Sequence, residues 1–96
     1  MTTLDFLQAK RGDLLEVARR HGVTSVRIFG SVARGEDSPE SDVDFLITTG
    51  PEVSSWFPAG LILDFEQLLG RHIDVVTESG LSPLLRDQVM AEAIAL

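Results

Sequence analysis

Leu4, Leu7, Leu14, Leu15 and Ala18 recur near one face of a helical period, which predicts a first helix from about Leu4 to His21. Thr2 and Asp5 have the spacing of a capping box at its start, and Gly22 follows as a helix-ending glycine. Val26–Phe29 is short, β-branched and closed by glycine, so it reads as a first strand. Gly30 to Ser41 carries two glycines, a proline and several Ser, Asp and Glu residues, the composition of a loop, with a helical turn near Ser31–Arg34. From Asp42 to Ile47 the pattern alternates. Val43, Phe45 and Ile47 fall on one face and Asp42, Asp44 and Leu46 on the other, as in a second strand. Gly50-Pro51 marks a turn. The stretch through Trp56-Phe57-Pro58 fits no period; its aromatics are expected in the core, with partner contact as the alternative. Leu61, Phe65, Leu68 and Leu69 then repeat at helical spacing before Gly70. His72–Thr77 makes a third strand. Ser82-Pro83 opens a last helix, with Leu85, Val89 and Ala93 in register.

The order α-β-loop-β-α-β-α implies a mixed α/β (α+β) fold, a small mixed sheet flanked by helices. The 96 residues suit a single domain, 1–96, large enough for one modest core. Composition narrows the function. No apolar run approaches the roughly 20 residues that cross a bilayer, and Met1-Thr2-Thr3-Leu4-Asp5 lacks the basic start of a signal peptide. With no cysteine, disulfides and thiol chemistry are excluded, which fits a cytoplasmic location. The net charge of -7 argues against a long nucleic acid as direct partner, because such binding draws on Lys and Arg.

Three of the acids are harder to explain as a solvated surface. Asp42 and Asp44 lie two apart on a strand, so both side chains leave the same face. Carboxylates held together repel, and one pKa rises unless a cation compensates. Mg2+ is commonly held by one or two carboxylates plus substrate phosphates. The bland alternative is an edge strand with two solvated acids. Asp74, flanked by Ile73, Val75 and Val76, completes a triad if the third strand lies beside the second; otherwise it is an edge acid in water. Gly30-Ser31 follows a strand, where glycine lets the backbone approach a phosphate and the next amides and hydroxyl bind its oxygens. Arg34, in the same loop, faces either a phosphate or solvent. His21 reads as a helix-end cation, His72 as an edge residue and Asp64 as a solvated one.

Gly30-Ser31, ten residues, then Asp42-Val43-Asp44 resembles the signature of the polymerase-β-like nucleotidyltransferase superfamily. Gly30-Ser31-Val32-Ala33-Arg34-Gly35 with Ser41-Asp42-Val43-Asp44-Phe45 is similar to its minimal nucleotidyltransferase (MNT) branch, and Asp74 matches the third carboxylate. The resemblance covers nearly the whole chain. It implies the polymerase-β-like fold, with Asp42 and Asp44 on the metal that carries the triphosphate. With Asp74 they would hold a second metal at the acceptor hydroxyl, which Asp74 would help deprotonate. Gly30 and Ser31 would grip phosphates. It also implies transfer of AMP from ATP to a tyrosine hydroxyl of a HEPN-domain toxin, the chain acting as antitoxin. Larger relatives carry a further lobe for the acceptor, so here another molecule is expected to present it. Two other readings remain. One is an antitoxin that only covers its partner's active site. The other is an enzyme acting on a small acceptor such as an aminoglycoside, which the short chain disfavours.

Overall fold

The computed structural model describes all residues 1–96. Helices α1 (Thr3–Ala9) and α2 (Arg11–Arg20) lead into strand β1 (Val23–Phe29), the one-turn helix α3 (Gly30–Arg34) and strand β2 (Val43–Thr49). Helix α4 (Ala59–Leu69), strand β3 (Ile73–Thr77), a 3-10 turn (Glu78–Gly80), helix α5 (Pro83–Glu92) and the two-residue strand β4 (Ile94–Ala95) complete the chain. No helix is long and apolar enough to cross a membrane.

The sheet runs β3-β2-β1-β4. β1 is antiparallel to β2 and to β4, whereas β2 and β3, joined through α4, are parallel. The sheet is therefore mixed, as the element order implied. Val26, Ile28, Val43, Phe45 and Ile47 face Leu7, Leu14, Ala18, Leu61 and Phe65 in one core of 14 buried residues. The Phe45 and Phe65 rings meet at 4.9 Å between centroids, tilted by 51°, an offset geometry that suits the ring quadrupoles. The alternation within β2 then sends Asp44 and Leu46 to the other face. Leu46 is buried there, and it and Val89 of α5 are the two buried residues outside the main cluster.

Several expectations are corrected. The helix predicted from Leu4 to His21 is two helices. The capping box of Thr2 and Asp5 forms, but Lys10 at φ -94° and ψ 7° breaks the run. At the other end of α1, Thr3 donates to the Asp37 carboxylate at 2.6 Å, which ties the helix to the loop after α3. β1 begins at Val23, three residues before the predicted start, across an irregularity between Val23 and Ser25. The last helix ends at Glu92, where Ala93 turns extended and leads into β4. In that helix Leu85 is 54 % exposed, and only Val89 of the predicted apolar row is buried. Trp56, expected in the core, is 86 % exposed, while its neighbour Phe57 packs against the core.

Candidate active site

The site starts where β1 ends. Phe29 pairs with Asp44 across the antiparallel ladder, and Gly30 turns out of the strand at φ 75°. A Cβ on Gly30 would run into the Asp44 Oδ2 atom. The left-handed backbone favours glycine here, and any side chain would also displace the Asp44 carboxylate pressed against it. The helical turn expected near Ser31–Arg34 is α3, which buries Val32 and leaves Arg34 exposed. Ser31 is half-buried next to Gly30.

The acids come from two adjacent strands and the residue before one of them. In the parallel register Asp44 lies opposite Asp74, so the two carboxylates leave the same face of the sheet. Asp74 occupies both positions considered for it from sequence: it is beside the second strand, and it is exposed on the sheet edge. Asp42 stands one residue ahead of β2 rather than inside it, and is exposed. Partial burial pushes the Asp44 carboxyl above its ordinary value, and the negative charges of Asp74, Asp42 and Glu92 push it further, while Arg34 pulls it down. In these side-chain positions no set of three or more Asp, Glu or His groups is gathered closely enough to enclose an ion unaided. Oxygen-only donors on an open face, carrying excess negative charge, do fit a hard cation that brings phosphate oxygens as its remaining ligands.

Arg34 is neither free in solvent nor facing an empty space. Its Nη1 donates to both oxygens of Glu92, at 3.2 and 3.0 Å, and its Nε lies 3.5 Å from Glu36. The same Glu92 carboxylate accepts the Gly30 N–H at 2.9 Å. Hydrogen bonding to Glu92 raises the Arg34 guanidinium pKa above its ordinary value. Glu92 belongs to this site and was missed from sequence, since 62 residues separate it from Gly30.

Arg71 was also missed. Its Nη2 donates to the carbonyls of Ser41 at 2.6 Å and Ser38 at 3.1 Å, and its Nη1 to the Thr3 hydroxyl at 3.0 Å and Asp37 at 3.5 Å. This guanidinium holds the loop that delivers Asp42 against the segment that delivers Asp74. Its Nε is buried without a partner. The Thr3 hydroxyl, and after it Arg71, hold the Asp37 carboxyl below its ordinary value.

Away from the acids, His21 caps α2 as expected, but it also joins Ser54 through Nδ1 and Asp64 through Nε2, the latter at 2.7 Å. Asp64 is thus a partner of His21 and not only a solvated acid. His72 is an exposed edge residue 3.7 Å from Glu66. A cleft of about 400 Å3 bounded by Thr49, Thr77 and Arg86 lies at the far ends of β2 and β3 from Asp44 and Asp74. The acids themselves line no cleft and stand on an open face.

The chain is 36% identical over 81 residues to a candidate protein adenylyltransferase of Methanocaldococcus jannaschii, a match spanning 84% of this chain and 87% of that one. It is 46% identical to a candidate minimal nucleotidyltransferase of known structure, with a TM-score of 0.85 over 100% of this chain and 97% of that one. The fold is shared, at 17% identity and a TM-score of 0.67, with a complex described as a tri-AMPylated Shewanella oneidensis HEPN toxin with its MNT antitoxin; 92% of this chain and 69% of that one align. Residues 13–96 match the family described as the nucleotidyltransferase domain, and the chain belongs to that family.

Proposed function

We propose that the chain is a single-domain, Mg2+-dependent protein adenylyltransferase, which moves AMP from ATP to a tyrosine hydroxyl of a HEPN-domain toxin and so acts as its antitoxin in the cytoplasm. The observation that carries this reading is the register of Asp44 against Asp74, with Gly30 closed tightly on Asp44. The similarity to a candidate protein adenylyltransferase supports the acceptor class. The shared fold of an AMPylated toxin with its MNT antitoxin supports the partner. An open face also suits an acceptor that arrives on another macromolecule.

In this reading the Gly30 amide, the Ser31 hydroxyl and Arg34 bind the triphosphate oxygens. Asp42, Asp44 and Asp74 would hold two divalent cations, whose charge would be shared with the nucleotide phosphates. Bound cations would neutralise phosphate charge and acidify the acceptor hydroxyl, whose unperturbed pKa is about 10. The hydroxyl oxygen bonds to the α-phosphorus as the bond to the bridging oxygen breaks. Pyrophosphate leaves with that electron pair, and Asp74 takes the hydroxyl proton. Catalysis of this kind rests on positioning and charge stabilisation, which two strands and one turn can supply.

The test is intact mass spectrometry of a HEPN-domain toxin from the same genome after incubation with this chain, ATP and Mg2+. Mass increments of AMP, absent with the Asp42→Asn/Asp44→Asn variant, are the expected result. A stable complex and a silenced partner with no increment would replace this reading with the purely covering antitoxin. Labelling of an aminoglycoside by the isolated chain would point instead to a small acceptor.

A further inference from the structure

The position of Glu92 deepens the proposed function, and rests on it. Glu92 closes α5, and its side chain is 20% exposed. Its two oxygens take the Gly30 N–H at 2.9 Å and Arg34 Nη1 at 3.2 and 3.0 Å. One backbone amide and one guanidinium, converging on a pair of anionic oxygens, is the donor set that recognises a phosphate. A carboxylate and a phosphate cannot share it, because both are acceptors and both are negative.

We propose that Glu92 is an internal stand-in for a nucleotide phosphate, and that it sets the affinity of the site for nucleotide by competing for Gly30 and Arg34. The carboxylate can leave by rotating its own side chain. β4 begins only two residues later and stays paired to β1 through Ile28 opposite Ile94 and Arg27 opposite Ala95. A ligand held at several points, such as a triphosphate, displaces Glu92. An anion with one phosphate gains too few contacts to do so.

Isothermal titration of the full chain with ATP and with AMP, each in Mg2+, tests this on wild type, Glu92→Gln and Glu92→Ala. Removing a charged competitor for hydrogen bonds should tighten ATP by about tenfold in Glu92→Ala. Glu92→Gln, which keeps shape and folding contacts but not charge, should tighten it several-fold. AMP should gain no more than ATP, since removing a competitor helps only a ligand that must displace it. Thermal melts identify any variant that fails to fold, in which case Glu92→Gln alone decides. ATP binding by wild type that is unchanged or weaker in the folded variants overturns the proposal, since Glu92 would then be holding Arg34 in place for the nucleotide. ATP binding by none of the three chains overturns the proposed function as well.

Discussion

The loop between α3 and β2 is held at one place by unlike charges and delivers like charges at another. At Arg71 a guanidinium meets the Asp37 carboxylate, the Thr3 hydroxyl and two loop carbonyls, with the Arg71 and Asp37 side chains only 17% and 11% exposed. At the end of the same loop Asp42 joins Asp44 and Asp74, acids with no basic residue among them, and Arg34 is already engaged by Glu92. The first arrangement is what a chain does to fasten itself. The second stores repulsion in a rigid frame, which is of use only to a ligand of opposite charge. The first cluster is also the more buried of the two, but it is the sign of the neighbouring charges that tells a fastening from a ligand site.

The largest effect that would sharpen this contrast is on the acids. Asp42→Asn/Asp44→Asn should lower AMP transfer by more than about 10^3-fold, the scale of losing preorganised charge stabilisation, with the far-ultraviolet spectrum unchanged. Persistent labelling of the partner by a folded double variant would falsify the assignment of these acids. Gly30→Ala comes next. A Cβ there meets Asp44 and needs a left-handed backbone. It should cost about 1–3 kcal/mol of stability and, by displacing Asp44, about 10^2-fold in transfer. Denaturant melts and single-turnover rates read the two separately.

Arg71→Ala tests the opposite cluster. It strands Asp37 and frees two loop carbonyls, and should destabilise by about 2–4 kcal/mol. A loss below about 0.5 kcal/mol by urea denaturation would mean the clasp contributes nothing and the contrast is empty.

The smallest effect has the opposite sign. The raised Asp44 pKa means the folded chain keeps a proton that the unfolded chain has lost, so stability falls as pH rises above the ordinary value of 3.8 and levels off past the folded value. In EDTA at neutral pH, Asp44→Asn should therefore raise Tm by about 2–4 °C after allowing for solvent screening. A lower Tm would show that Asp44 has a favourable partner. Asp37 behaves inversely: its lowered pKa supplies stability above 3.8 that is lost as pH falls through the folded value.

Much of the site was legible before the fold. A two-residue spacing puts Asp44 opposite in sense to Val43 and Phe45 in any strand, and glycine after a strand marks a close approach. The adjacency of Asp74 was conditional on strand order, and the parallel β2–β3 pairing supplied it. Glu92 and Arg71 were not legible, because each acts on residues 30 or more positions away. β4 was hidden for a different reason. Two residues cannot show a period, and Ala91-Glu92-Ala93 favours helix, so β4 exists only because the open edge of β1 offers hydrogen bonds. Trp56 was misplaced because aromatics are usually buried, whereas the neighbouring Phe57 takes the core contact and leaves Trp56 exposed.

The sequence by itself determined the local facts: which strands alternate, which face carries the acids, where glycine is favoured and where the capping box forms. These depend on covalent spacing and backbone sterics within a few residues. Only the tertiary structure decided which acid faces which, what Arg34 and the Gly30 amide hold, and how the loop to Asp42 is fastened. Those outcomes follow from charges and hydrogen-bond donors brought together by packing, and electrostatic energy depends on distance in space rather than distance along the chain.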